Sequence, residues 1–221
     1  VGDIEALPFL EAIRQLRTEL GRDDSVCIHL TLVPYIASAD EVKTKPTQHS
    51  VAALRQIGIQ PDIIVLRTDR ALDKRIKKKI SLFCNVRPEC VITAQDVKNI
   101  YSLPLLLHQE EADQRVCELL NIWSREPNLS IWERLAVVCE KPKHEVRIGI
   151  VGKYVDHVES YKSLNEALIH GGMDQETRVI IEYVSAESLT NAPAAEMLRN
   201  LDAILIPGGF GGRGIEGKIA A

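Results

Sequence analysis

Short β-branched runs alternate with amphipathic stretches at a spacing of about 30 to 40 residues along most of the chain, the pattern of βαβ units around a parallel sheet. It predicts an α/β fold. Ile4, Leu7, Phe9, Leu10, Ile13, Leu16 and Leu20 recur three and four apart, so residues 4–20 read as a core-facing helix with Gly21 as its C-cap. Strands are predicted at 25–33 (SVCIHLTLV, stopped by Pro34), 62–66 (DIIVL) and 90–93 (CVIT), with helices at 47–57 and 73–83 between them. Past residue 105, LLLHQEEADQRVCELLNIW suggests a helix that SREPNL, at 124–129, breaks. A further helix at 130–140 runs into the polar linker Lys141-Pro142-Lys143-His144. A second unit then starts afresh. It reads β-α-β-α-β, with strands at 146–151, 178–184 and 203–206 and helices at 160–170, stopped by Gly171-Gly172, and at 194–200.

Composition narrows the partners without changing this picture. The 221 residues are 45% hydrophobic and 26% charged, which excludes disorder as the main state. With 27 Lys and Arg against 31 Asp and Glu, the net charge of −4 offers no general field for nucleic acid or an anionic membrane. No apolar run is long enough to span a bilayer and no signal peptide is recognisable, so a cytoplasmic protein is expected. The five cysteines are odd in number and widely spaced, which suggests buried, reduced thiols rather than disulfides or a zinc site. The chain begins with Val1 rather than Met and stops soon after a glycine-rich loop; both ends look cut.

Four segments carry candidate chemistry. In the first, Lys43, Thr44, Lys45, Pro46, Thr47 and Gln48 follow a strand and precede a helix, where lysines, hydroxyls and free N–H groups could grip a polyphosphate. The same residues also suit a solvated loop with Thr47 as N-cap. In the second, Asp3 and Glu5 could bind a ribose diol, an exocyclic amine or magnesium, or could simply cap a helix and complement its dipole. The basic run Lys74 to Lys79 reads as a solvated helix face, with only Lys79 at its apolar border. The fourth, residues 207–218, imitates both a dinucleotide fingerprint and a phosphate loop. Ile219 stands where the phosphate loop needs Ser or Thr, and the glycines follow a third strand rather than a first. Gly208 and Gly209 are still well placed at the end of a strand to expose amides to an oxyanion. The histidines have no partners at ligand spacing, and neither Gly-x-Ser-x-Gly nor Gly-x-Cys-x-Gly occurs, so no nucleophile is recognisable.

Taken in order, VGDIE (1–5), HLTLVPY (29–35), EVKTKPTQHS (41–50), GIQPD (58–62), LFCNV (82–86), VGKY (151–154) and IPGGFG (206–211) resemble the CTP synthase family along the whole chain. The resemblance implies a two-domain ligase. A phosphate-loop-type synthetase would use ATP and magnesium to phosphorylate O4 of UTP before ammonia displaces the phosphate, and a flavodoxin-like class I glutaminase would make that ammonia from glutamine. On this basis residues 1–120 would be the later part of the synthetase domain, 121–144 a helix and linker, and 145–221 the opening of the glutamine amidotransferase domain. Asp3, Ile4 and Glu5 would contact the pyrimidine of UTP or of the inhibitor CTP. Lys43 to Gln48 with Lys79 would hold the triphosphate, across a subunit interface of a homotetramer. Gln95, Asp96 and Val97 would contact the adenine of ATP, Gly208 and Gly209 glutamine and its oxyanion, and Phe210, Arg213 and Glu216 would form a lid responding to the activator GTP. The phosphate loop and magnesium ligands are expected before Val1 and the glutaminase Cys, His and Glu after Ala221, so the 221 residues alone are expected to be inactive. A rival reading is a non-catalytic nucleotide-binding or filament-forming homologue; a second, from the glycine fingerprint, is an NAD-dependent dehydrogenase.

Overall fold

Asp3 accepts a hydrogen bond from the Glu5 N–H at 3.4 Å and so caps a 3-10 turn, Ile4–Ala6, that leads into α1 (Leu7–Leu20). Pro8 sits in the first turn of α1, and Gly21, at φ 83°, ends it as a C-cap. The computed structural model describes residues 3–155, 157–190, 193–209 and 211–221. After α1 come β1 (Ile28–Leu32), β2 (Tyr35–Ile36), β3 (Glu41–Val42), α2 (Lys45–Gln56), β4 (Ile63–Thr68), α3 (Lys74–Cys84), β5 (Val91–Gln95), α4 (Leu103–Gln109), α5 (Ala112–Leu119) and α6 (Ser130–Glu140). Then follow β6 (His144–Gly152), α7 (Lys162–Asp174), β7 (Thr177–Ser185), α8 (Ala194–Leu198), β8 (Ala203–Leu205) and α9 (Ile215–Ala220). The chain divides into two compact units, Val1–Glu133 and Arg134–Ala221.

In the first unit β1, β4 and β5 form a parallel sheet in the order β1-β4-β5. The central strand is the most buried: Ile63, Ile64 and Leu66 are closed off from solvent, as a strand covered on both faces should be. Val51 from α2, Ile80 and Cys84 from α3, and Val91 and Ile92 from β5 complete this core. Lys74, Arg75, Lys78 and Lys79 are exposed on α3, as a solvated helix face requires, but Lys77 is half-buried. Asp73 caps α3 by accepting the Ile76 N–H at 2.7 Å, while Ile80 points inward. Thr93 N–H donates to the Glu110 carboxylate at 2.7 Å, and Lys77 pairs with the same carboxylate, so one acidic side chain ties β5 to α3. In the second unit β7, β6 and β8 form another parallel sheet, with β6 central.

The α/β class with parallel sheets agrees with the alternation in the sequence. Three local expectations need correction. The segment beyond residue 105 is two helices, because Glu111 adopts a left-handed conformation (φ 60°) between α4 and α5. Gly171 and Gly172 do not stop α7, which runs through them to Asp174. A Cβ on Gly172 would lie 2.5 Å from Val179 Cγ2 and 2.7 Å from the Thr177 carbonyl, so this glycine permits close packing on β7. Finally, α1 buries no residue here; its stripe, including Phe9 at 73% exposure, faces outward. All five cysteines are free thiols, but only Cys84 and Cys90 are fully buried. No helix among the described residues is long and apolar enough to cross a membrane.

Candidate functional site

Open parallel sheets bind ligands beyond the carboxyl ends of their strands, and two of the candidate segments leave the first sheet on that side. Residues 41–48 follow β1, and Gln95 to Val97 end β5. The first segment is more ordered than a loop. β2 and β3 pair antiparallel, Tyr35 with Val42 and Ile36 with Glu41, and Asp40 at φ 45° turns the chain between them. The Lys43 N–H donates to the Pro34 carbonyl at 2.9 Å, which fixes the backbone where the hairpin hands over to α2.

The helix begins at Lys45, two residues before the predicted start, with Thr44 at the cap position and Pro46 in the first turn. Gln48 N–H makes a bond to the Thr44 carbonyl at 3.2 Å, and Pro46 has no N–H, so the amides of Lys45 and Thr47 are the donors at this helix end. The two hydroxyls are otherwise engaged. Thr47 is fully buried and donates to the Leu32 carbonyl at 3.2 Å, and Thr44, also buried, accepts from Gln48 Nε2 at 3.2 Å. Lys45 and Lys79 stand exposed. The Lys43 ammonium forms an ion pair with Glu41, and the charge of Lys79 also reaches that carboxylate; together they hold the Glu41 carboxyl below its usual range, Lys43 contributing most. The structure therefore pairs Lys43 with Glu41 just before α2, and Lys79 lies on α3, the helix that packs against α2.

Two supports went unread in the sequence. Tyr35 donates to the Asp40 carboxylate at 2.5 Å, and the Arg70 guanidinium lies 3.1 Å from the centre of the Tyr35 ring, so a residue after β4 braces the hairpin that carries Lys43. Beneath α2, His29 hydrogen-bonds to Ser50 Oγ at 2.9 Å, and burial pushes its imidazole pKa down.

The remaining candidates stand apart from this group. Asp3, Ile4 and Glu5 are exposed on the first turn, and no hydrogen bond or ion pair among the described residues ties them to residues 43–48. Asp96 N–H donates to the Thr68 carbonyl at 2.8 Å and its carboxylate pairs with Arg67 at 3.2 Å, fixing the chain beside Gln95 and Val97. In the second unit Gly208 and Gly209 follow β8, and a Cβ on Gly208 would meet nothing within 4 Å. The loop is held from three sides: Lys218 donates to the Pro207 carbonyl at 2.7 Å, Lys153 donates to the Gly211 carbonyl at 3.0 Å, and Arg213 pairs with Glu187 at 3.2 Å. Glu216 lies in the first turn of α9, and Phe210 falls outside the described residues. Gly217 packs so closely on the Ala186 backbone that a Cβ would lie 1.5 Å from its carbonyl oxygen. That contact and the Lys218 bond account for the glycine-lysine pattern without a bound phosphate.

A family model described as CTP synthase N-terminus matches residues 1–122, more than half of the chain. The chain belongs to the CTP synthase family. It is 58% identical over 221 residues to the CTP synthase of Desulfotalea psychrophila, covering 100% of this chain and 40% of the relative. Against the CTP synthase of Oleidesulfovibrio alaskensis the identity is 57% with the same coverage, and against that of Syntrophus aciditrophicus it is 55% over 219 residues, covering 99% of this chain and 41% of the relative. This CTP synthase family chain thus spans about 40% of the length of the curated relatives it matches. Residues beyond 122 lie outside the family model but inside these alignments.

Proposed function

We propose that this chain supplies part of an ATP-dependent ligase that aminates UTP to CTP with ammonia derived from glutamine. The observation that carries the reading is the placing of Lys43 and the exposed Lys45 at the amino end of α2, beyond the carboxyl end of β1. Cations around helix amides suit a triphosphate. In this reading Lys43, Lys45, Lys79, the Thr47 amide and the Gln48 side chain hold the triphosphate of UTP or CTP, while Thr44, Pro46 and the Thr47 hydroxyl shape the helix start. Asp3, Ile4 and Glu5 contact the pyrimidine, in an assembly of four copies, and Gln95 to Val97 contact the adenine of ATP.

Residues 1–120 then belong to the synthetase domain, 121–144 to a linker and 145–221 to a glutamine amidotransferase domain. In the last of these Gly208 and Gly209 bind glutamine, and Phe210, Arg213 and Glu216 form the part that responds to GTP. The position of Gly208 and Gly209 just after a strand of a parallel sheet, with room for a ligand at Gly208, supports this assignment. The reading keeps the protein in the cytoplasm, where free thiols persist. Magnesium assists phosphoryl chemistry by neutralising phosphate charge. Among the described residues no cluster of three or more His, Cys, Asp or Glu side chains suits a metal ion. The 221 residues alone are expected to turn over neither UTP nor glutamine.

Lys43→Ala in the full-length enzyme tests the reading. Loss of one charge-assisted hydrogen bond to phosphate should weaken UTP use and CTP inhibition together, by roughly tenfold or more, and leave glutamine hydrolysis in place. A fall in glutamine hydrolysis with UTP affinity unchanged would count against it.

A further inference from the structure

Glu41 puts a negative charge inside a group of residues otherwise suited to an anion. Glu41 opens β3, Lys43 directly follows that strand, and their side chains, two positions apart, meet in an ion pair as the hairpin ends. The bond of the Lys43 N–H to the Pro34 carbonyl, at 2.9 Å, fixes the backbone of this segment. The pair is open to water, with 60% of the Glu41 side chain and 41% of the Lys43 side chain exposed. Exposed pairs are weak and exchange readily.

We propose that Glu41 is a displaceable internal counter-anion that occupies Lys43 in the absence of nucleotide and thereby sets the affinity of the site. The proposal rests on the triphosphate reading above. A phosphate that reaches Lys43 must first break the Glu41 pair, and the freed carboxylate then remains close to like charge on the ligand. Both effects oppose binding. Glu41 is tethered two residues from Lys43, so it competes at a high effective concentration whatever the solution contains.

The alternative role, a carboxylate that pre-orients Lys43 for the phosphate, predicts the opposite sign. UTP is titrated into the full-length enzyme without ATP or glutamine, at low ionic strength. Glu41→Gln is expected to bind UTP about two- to fivefold more tightly than the parent, with the gain shrinking as salt is raised. Glu126→Gln removes the same charge at an exposed position outside the proposed site and should leave the affinity unchanged. Unchanged or weaker binding by Glu41→Gln, or an equal gain in Glu126→Gln, overturns the proposal. Lys43→Ala measured alongside separates the two levels. If it loses UTP affinity while Glu41→Gln gains none, only the Glu41 inference fails; if it keeps UTP affinity, the triphosphate reading fails and the Glu41 inference with it.

Discussion

His29 lies on β1 with its side chain turned into the first unit, 8% exposed and bonded to Ser50 Oγ at 2.9 Å. Burial disfavours the imidazolium, so the folded-state pKa falls below the ordinary value of 6.5. In the window between the folded and unfolded values the unfolded chain binds more protons, and stability rises with pH. The contribution is therefore complete above the unfolded pKa, is lost as pH falls through the window, and levels off below the folded pKa. Urea midpoints at pH 7.5 and 5.5 should show a larger loss on acidification for the parent than for His29→Gln. Equal losses would show that His29 is protonated as easily when folded as when unfolded. Cys84 follows the same physics with opposite sign: burial pushes its thiol up to about 11, which leaves it a core side chain rather than a nucleophile.

At the scale of elements, the adjacent glycines of α7 carry the sharpest contrast. Both lie in the helix, yet a Cβ on Gly171 meets nothing within 4 Å, while one on Gly172 would press on Val179 and the Thr177 carbonyl. Gly171→Ala should stabilise the protein by about 0.5 to 1 kcal/mol through helix propensity. Gly172→Ala should destabilise it by about 1 to 3 kcal/mol through overpacking. Thermal or urea unfolding of the two variants reads the signs directly. The same pair shows what the sequence could convey. Apolar periodicity located α7 and β7, because that signal is local to each segment, but whether a glycine ends a helix or admits a neighbour depends on a strand that comes later in the chain. The candidate site divides in the same way. The lysines, threonines and glutamine of 43–48 were legible from residue type and position after a strand. The commitment of the Thr47 hydroxyl to Leu32, and the bracing of the hairpin by Arg70, arise from contacts 15 and 35 positions apart in sequence and leave no local pattern.

An amphipathic stripe shows that an element has a face to bury; it does not show what covers that face. The stripe of α1 reads as core-facing, yet Leu7, Phe9, Ile13, Leu16 and Leu20 are all exposed in the 221-residue chain. β1 repeats the point at the edge of its sheet: His29 and Thr31 turn inward, while Ile28, Leu30 and Leu32 are 50%, 65% and 55% exposed. The consequence is measurable, since a side chain already in water gives up little when it becomes polar. Leu30→Lys should change the stability of the 221-residue chain by no more than about 0.5 kcal/mol, the usual range for surface substitutions. Lysine on an edge strand also discourages pairing with another chain, so the variant should associate no more than the parent at any concentration. Ile64→Ala, on the same sheet but 0% exposed, should cost about 2 to 5 kcal/mol. Urea unfolding compared across the two variants checks the difference, with light scattering as the second readout. A loss for Leu30→Lys approaching that of Ile64→Ala would mean that the outer face of β1 is covered within the chain itself, for instance by the stripe of α1.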